Sequence, residues 1–148
     1  MKRLLCAILT LVLVIAAPMN FLAEAIDIVY YVDGYYTYCL GETAAVLVSV
    51  STKISGNVKV PAKFDGKVLK DIGSGAFRGC NNITSITLSS GVETIGEYAF
   101  SGCSALNSIS LPSTLKTIGI QAFYDCTLKS ITIPANVEEL GGVFLGCN

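Results

Sequence analysis

The chain has 148 residues, enough for one domain, with ten basic and eleven acidic residues and no histidine. Charge this sparse and balanced gives no electrostatic basis for binding nucleic acid or an anionic membrane surface. Without histidine, the chain cannot assemble a Ser-His-Asp or Cys-His catalytic arrangement of its own.

The first 25 residues predict a secretory signal peptide. Met1-Lys2-Arg3 is a short basic start, and a 14-residue apolar run follows from Leu4 to Ala17. Ala23-Glu24-Ala25 then matches the small-x-small pattern of a cleavage site before Ile26. The alternative is a membrane anchor, but a spanning helix needs about 20 apolar residues. We therefore expect a secreted or cell-surface protein without a stable membrane span after cleavage.

Residues 26–57 predict a small β-meander. Two β-prone runs, Ile28–Val32 and Tyr35–Cys39, flank Asp33-Gly34, which predicts a hairpin whose two turn residues both have positive φ. Ala44–Val50 predicts a third strand. This hairpin carries five tyrosines: Tyr30, Tyr31, Tyr35, Tyr36 and Tyr38. We favour cross-strand packing for them over an aromatic platform for sugars or peptides, and keep Tyr31 and Tyr36 as candidate contacts.

Residues 58–148 repeat with a period of about 23 residues. Each repeat contains a Phe-x-x-Cys pair: Phe77/Cys80, Phe100/Cys103, Phe123/Cys126 and Phe144/Cys147. Successive phenylalanines lie 23, 23 and 21 residues apart, because the third repeat lacks two positions, one of them after Cys126. A fixed period of this length indicates a solenoid, in which each coil buries its apolar face against its neighbours. The first coil therefore needs a cover, and residues 26–57 are expected to provide it.

One side of each coil is predicted to be a β-strand with hydroxyl groups facing solvent. The segments that begin at Ile83, Leu106 and Leu128 match the pattern L-x-x-L-x-L. Because side chains alternate along a strand, the residues between the apolar positions point outward. This candidate binding face consists of Ser85, Thr87, Ser108, Ser110, Ser130 and Thr132. Interface hot spots more often involve Trp, Tyr or Arg, so Tyr98 and Tyr124 are further candidate contacts.

The other side of each coil is predicted to turn at a glycine and to form a short helical or 3-10 turn. Gly73, Gly96 and Gly119 each follow an inward isoleucine, where glycine allows a tight corner. Ala-Phe pairs follow, and all four repeat phenylalanines are expected to be core residues.

The four repeat cysteines are expected to be buried thiols. A column of parallel side chains does not converge on a metal ion, and it holds Cβ atoms too far apart for a favourable disulfide. We therefore expect no metal and no cofactor. Cys39 lies outside the column and is the thiol that we expect to react most readily if it is partly exposed.

These motifs resemble the BspA-type leucine-rich repeat, whose unit is approximately L-x-x-I-x-L-P-x-x-V-x-x-I-G-x-x-A-F-x-x-C. The resemblance extends from about Val58 to Cys147. It implies a secreted or surface-displayed bacterial or parasite protein, often an adhesin that binds host extracellular proteins or other cells. We predict an α/β repeat fold: a short right-handed leucine-rich repeat solenoid with an N-terminal β-meander cap.

The function that we predict is a non-enzymatic, adhesin-like binding module for protein or glycan partners on host or neighbouring cells. The alternative is a structural fragment of a larger surface protein, self-associating through an uncovered C-terminal coil. A secreted hydrolase is the remote alternative. It would need a carboxylate pair such as Glu93/Glu97 or Glu138/Glu139, which the pattern places at solvated positions.

Overall fold

The computed structural model describes residues 29–142, so the predicted signal peptide, Phe144 and Cys147 lie outside the described residues. The described chain contains eleven β-strands. In order they are β1 (Tyr30–Asp33), β2 (Tyr36–Leu40), β3 (Ala44–Val50), β4 (Gly56–Lys59), β5 (Lys63–Phe64), β6 (Lys67–Ile72), β7 (Ile83–Thr87), β8 (Thr94–Ile95), β9 (Ser108–Ser110), β10 (Thr117–Ile118) and β11 (Glu139–Leu140).

The strands form two sheets on the two sides of a solenoid. The larger sheet has the order β1-β2-β3-β6-β8-β10-β11, and β5 pairs with β6. The smaller sheet has the order β4-β7-β9. The β3-β6, β6-β8, β8-β10 and β10-β11 pairs of the larger sheet are parallel, as are both pairs of the smaller sheet, whereas β5 pairs with β6 antiparallel. The chain therefore winds from one sheet to the other and returns one coil further on, as the repeat predicts.

The N-terminal strands β1, β2 and β3 form an antiparallel meander that continues into the solenoid, because β3 pairs in parallel with β6. Its first turn differs from the prediction by one residue. Asp33 pairs with Tyr36, so the turn residues are Gly34 and Tyr35. Only Gly34 of these two has positive φ, at 59°. This geometry requires glycine at the first turn position alone, and the prediction of two positive φ values was wrong.

A column of stacked phenylalanine rings runs through the core. The ring centroids of Phe77 and Phe100 are 5.0 Å apart, and those of Phe100 and Phe123 are 5.3 Å apart. The interplanar angles are 20° and 7°, and none of the three side chains is exposed to solvent. Each coil therefore rests its largest apolar side chain on the equivalent ring of the next coil.

The predicted helical or 3-10 turns at the Ala-Phe pairs are wrong. Residues 29–142 contain no helix, and hence none long and apolar enough to span a membrane. In the three coils whose turn side is described, two positions four residues apart have positive φ: Gly75 and Gly79, Tyr98 and Gly102, and Gln121 and Asp125. Left-handed residues at this spacing interrupt a right-handed helix before it completes a second turn.

The turn side forms a hydrogen-bond ladder between coils in place of a helix. The amide of Ala76 donates to the oxygen of Gly73 in its own coil, at 3.1 Å. The next amide, of Phe77, donates to Ala99 in the following coil, at 2.7 Å. This alternation repeats in the next coil, where the amide of Phe100 donates to Ala122 at 2.8 Å. Every second amide thus connects neighbouring coils, as in a parallel sheet.

The corner glycines are required for close approach between coils. A Cβ on Gly96 would lie 2.6 Å from the nitrogen of Ser74, and one on Gly119 would lie 2.6 Å from the nitrogen of Glu97. Neither residue has positive φ. Glycine is therefore needed here because a methyl group would overlap the main chain of the preceding coil, and the backbone freedom expected from the sequence is not the reason.

Candidate binding surfaces

The predicted hydroxyl face forms on the smaller sheet over two coils. Ser85 pairs with Ser108 and Thr87 pairs with Ser110, which places the four hydroxyl groups in two parallel columns. Thr87, Ser108 and Ser110 are exposed, and Ser85 is half-buried. The face is flat and can offer both donors and acceptors to a partner.

The first coil adds an amide and an ammonium group to these columns. Asn57 pairs with Ser85 and Lys59 pairs with Thr87. The Oδ1 atom of Asn57 accepts hydrogen bonds from Ser85 Oγ at 2.8 Å and from Thr84 Oγ1 at 3.1 Å. Because the repeat was predicted to start at residue 58, the predicted face did not include Asn57. The sequence did contain a signal for it, because Asn57 and Lys59 flank the inward Val58 and neighbouring side chains on a strand point to opposite faces.

The third row of the predicted face has a different geometry. Ser130 and Thr132 are exposed, but residues 128–133 form no strand, and the smaller sheet ends at β9. The strand predicted from Leu128 was therefore wrong. Cys126 and Leu128 are two residues apart, whereas Cys103 and Leu106 are three apart. An open depression of about 440 Å³ lies between this segment and β9.

The candidate tyrosines of the meander, Tyr31 and Tyr36, face its aromatic core. The Tyr31 ring stacks on Tyr38 at 5.5 Å, and the Tyr36 ring meets Phe64 edge-on at 5.8 Å. Burial, with the charge of Asp33 as a smaller cause, raises the pKa of Tyr36. These rings mainly pack the meander, in line with the cross-strand role that the sequence favours.

Two other tyrosines of the meander face solvent. Tyr30 and Tyr35 are each 49 % exposed. Alternation along the strands separates them from Tyr31, Tyr36 and Tyr38, but it does not show which face of the hairpin is buried.

An exposed cluster lies on the turn side of the solenoid, and we call Arg78, Tyr98, Ile120 and Tyr124 the turn-side patch. Tyr98, Ile120 and Tyr124 are 37 %, 53 % and 42 % exposed. The Arg78 guanidinium lies 6.0 Å from the centroid of the Tyr98 ring. The Tyr98 amide donates to the Ile120 oxygen at 3.0 Å, so these two residues are neighbours in adjacent coils. Sequence reasoning identified the two tyrosines and missed Arg78, although it shares a repeat column with Tyr124.

The carboxylates proposed for a hydrolase are either ion-paired or exposed to solvent. Glu93 accepts ion pairs from Lys70 and Lys116, each at 2.7 Å. Hydrogen bonds from Lys116 and Lys70 lower the pKa of Glu93 to about 2. Glu97, Glu138 and Glu139 are exposed. Residues 29–142 contain no group of three or more His, Cys, Asp or Glu side chains that could hold a metal ion.

The repeat region matches a known protein family. Residues 62–148 match the family described as BspA type leucine rich repeat region, in six copies. The chain belongs to the BspA-type leucine-rich repeat family. The matched region begins at β5, so the meander precedes the BspA-type repeats. No curated protein sequence matches the chain significantly.

Solved structures of bacterial leucine-rich repeat proteins share the fold of this BspA-type chain. A protein from Bacteroides capillosus is 27 % identical with a TM-score of 0.69, over 80 % of this chain and 94 % of its own. One from Bacteroides ovatus is 29 % identical with a TM-score of 0.51, over 74 % of this chain and 37 % of its own. A protein from T. pallidum is 24 % identical with a TM-score of 0.61. The match covers 76 % of this chain and 63 % of the T. pallidum chain.

The three repeat cysteines within the described residues, Cys80, Cys103 and Cys126, lie in the core beside the phenylalanine column. The thiol of Cys126 donates to the oxygen of Phe100 at 3.1 Å. Burial raises the pKa of Cys80 and raises that of Cys103 to about 12. Cys39, outside the column, is half-buried, and burial is also the main reason that its thiol pKa is raised. Because Cys39 is partly exposed, reagents reach it more easily than they reach the core thiols. Its raised pKa acts in the opposite direction, because it lowers the fraction of reactive thiolate.

Proposed function

We propose that this protein is a non-enzymatic, adhesin-like binding module that recognises a protein or glycan partner through its repeat surface. The observation that carries the proposal is the turn-side patch. Tyrosine and arginine are the residues most enriched in binding hot spots, and here they are exposed on a rigid stack of coils. The solenoid itself does not require them, because Ser101 occupies the column of Tyr124, and Gly75 the column of Tyr98.

The backbone of Tyr98 supports a binding role for the patch. Its φ is 54°, at a position where the first coil has Gly75 with φ 65°. A bulky residue in the left-handed region costs about 1–3 kcal/mol, and such strain tends to occur at functional sites. Retaining tyrosine here therefore has a cost in stability, which a binding contact would explain.

Support for a non-enzymatic role comes from the groups that could otherwise carry chemistry. The ion pairs of Glu93 keep its carboxylate ionised at neutral pH, whereas a general acid needs a raised pKa. The raised pKa values of Cys80 and Cys103 keep both core thiols protonated, which makes them poor nucleophiles.

Export to the cell surface or medium is part of the proposal, supported by the signal-peptide pattern of residues 1–25 and by the family resemblance. Expression of the full chain in a secreting bacterial host would test it. We expect the extracellular protein to begin at Ile26, and retention of an intact N-terminus with the cells would argue for an anchor.

The binding function is tested with the full chain and a panel of immobilised extracellular-matrix proteins and glycans. We expect at least one partner, and at least a tenfold loss of affinity in a variant with Tyr98→Ser and Tyr124→Ser. The matched control carries Tyr30→Ser and Tyr35→Ser, which removes two equally exposed tyrosines from the meander. Equal losses in both variants, or no partner at all, would contradict the proposal.

A structural role is the second candidate, and Leu140 favours it. This side chain is 52 % exposed, whereas the residues that precede it in its column, Ile95 and Ile118, are buried. A further coil or a second copy would cover it. Light scattering of the purified chain decides between the two: a monomer with one cooperative melting transition argues against the structural role.

A further inference from the structure

We infer that the depression between β9 and residues 130–134 is a binding site for a short stretch of neutral oligosaccharide. The inference rests on the proposed binding function and names a ligand class for it. It concerns residues that are not part of the turn-side patch, so each site can be tested separately.

The depression is a consequence of the sequence. The larger sheet continues past it, since Thr117 pairs with Glu139. The turn-side ladder also continues, since the Gly102 amide donates to the Tyr124 oxygen at 2.8 Å. The coil is therefore stacked on two sides and open on the third, where one residue is missing after Cys126. On the open side, the amide of Lys129 donates to the Asn107 oxygen at 3.3 Å, and the side chains of Thr127 and Asn136 donate to main-chain oxygens of the preceding coil on either side of the depression.

The lining of the depression combines hydroxyl groups with apolar surface. The hydroxyl groups belong to Ser108, Ser110, Ser113, Ser130 and Thr132. The apolar surface comes from Ile109, Leu111, Ile131 and Pro134, all of which are half-buried. A sugar ring has the same two characters, because its edges carry hydroxyl groups and its faces carry C–H groups. Each lining hydroxyl can both donate and accept, which suits the hydroxyl groups of a sugar.

Size and charge restrict the ligand further. A volume of about 440 Å³ falls within the range of roughly 300–1,000 Å³ usual for small-ligand sites. None of the nine lining residues is charged. A charged sugar would lose water on entering without gaining a counter-charge, so a neutral oligosaccharide is the class that fits.

The test is calorimetric titration of the full chain with cellotetraose, maltotetraose and chitotetraose. Oligogalacturonate serves as a charged probe, and an extended Ser/Ile-alternating hexapeptide as a probe for strand pairing with β9. We expect at least one neutral tetrasaccharide to bind, and neither of the other two probes to bind more tightly.

The variants locate the site. Ser110→Phe with Thr132→Phe fills the depression and should reduce sugar affinity at least tenfold. The matched control, Thr87→Phe, changes the residue that pairs with Ser110 on the same face but lies outside the depression. Thr132→Val, which keeps the shape and removes one hydroxyl, should weaken binding without lowering the melting temperature.

Absence of binding by all three neutral sugars would overturn the inference, as would preference for oligogalacturonate or the peptide, or an equal loss in Thr87→Phe. The matrix panel separates this outcome from failure of the proposed function. A partner still bound through Tyr98 and Tyr124 leaves that function intact.

Discussion

The thiol of Cys103 donates a hydrogen bond to the main-chain oxygen of Phe77 in the preceding coil, with an Sγ–O distance of 3.1 Å. The same oxygen accepts the amide of Cys80 at 3.1 Å. Cys126 repeats the relationship with Phe100 one coil further on. The repeat cysteine thus fills the core and also joins two coils, which alanine or valine at the same position could not do.

This arrangement predicts a loss of stability at alkaline pH. Burial, followed by the neighbouring thiols Cys126 and Cys80, raises the pKa of Cys103 from 9.0 to about 12. Between these values the unfolded chain releases the proton while the folded chain retains it. The contribution is therefore complete below pH 9 and is lost as the pH rises toward 12. Urea unfolding from pH 8 to 11 should show a falling free energy of unfolding.

The variant Cys103→Ala isolates this contribution from that of the other raised groups. It should be less stable than the original chain at pH 8, because it lacks the hydrogen bond and leaves a small cavity. Its stability should also fall less steeply above pH 9. Parallel pH profiles for the two proteins would show that Cys103 titrates normally and is not held in the core.

The phenylalanine column predicts a large cost for Phe100→Ala. Phe100 contacts rings on both sides, at 5.0 and 5.3 Å, and has no solvent exposure. Truncation should reduce the free energy of unfolding by about 3–5 kcal/mol. Ile120→Ala, which truncates a 53 % exposed side chain in the next coil, should change it by less than about 0.5 kcal/mol. Similar values for the two variants would refute the interior placement of the column.

The periodicity of the sequence predicted the solenoid, the stacked core and the strands β7 and β9, because each depends on the same inward residues recurring every 23 positions. It did not predict the turn side. An Ala-Phe pair is compatible with a helical turn, and the decisive residues differ between coils. Gly75 signals a left-handed position by itself, whereas Tyr98 and Gln121 have positive φ although neither residue type favours it.

The binding surfaces were predicted less well than the fold. Alternation identified the outward hydroxyl groups correctly over β7 and β9. It could not show that one missing residue after Cys126 would separate the next segment from β9, since this depends on the distance that the connection must span. The position of Ile120 beside Tyr98 likewise depends on contacts between coils, so it cannot be predicted from the spacing of residues within one repeat.

Replacing a corner glycine with alanine is predicted to reduce stability more than replacing a glycine that has positive φ but open space around it. In Gly119→Ala the new methyl group would lie 2.6 Å from the Glu97 nitrogen, and coils must separate to accept it. We expect a loss of about 3 kcal/mol, at the upper end of overpacking effects.

Gly102→Ala is the matched comparison for this change. Gly102 has φ 71°, but the nearest atom to its added Cβ is 3.9 Å away. Only the left-handed conformation opposes this substitution, at about 1 kcal/mol. Urea unfolding of both variants measures the difference, and a larger loss in Gly102→Ala would mean that the coils are not in close contact at the corner.

Alternating charges along the larger sheet predict a dependence on acid and salt. Glu93 lies between Lys70 and Lys116, and the amide of Glu138 donates to the Lys116 oxygen at 2.8 Å, so the signs alternate over four coils. The pKa of Glu93 falls from 4.5 to about 2, with Lys116 the larger cause. A lowered pKa stabilises the fold above pH 4.5, and the contribution disappears as the pH falls toward 2.

Glu93→Gln should therefore be less stable than the original chain at pH 7 and equally stable near pH 2. Added NaCl should reduce the difference at pH 7, because all three side chains are accessible to solvent. Glu97→Gln is the control, since Glu97 lies in the same coil, is exposed and forms no ion pair within the described residues. Urea unfolding at pH 2, 4 and 7 in low and high salt makes the comparison. If the two variants behave alike at every pH, the charges of this column are solvated independently and do not bind one another.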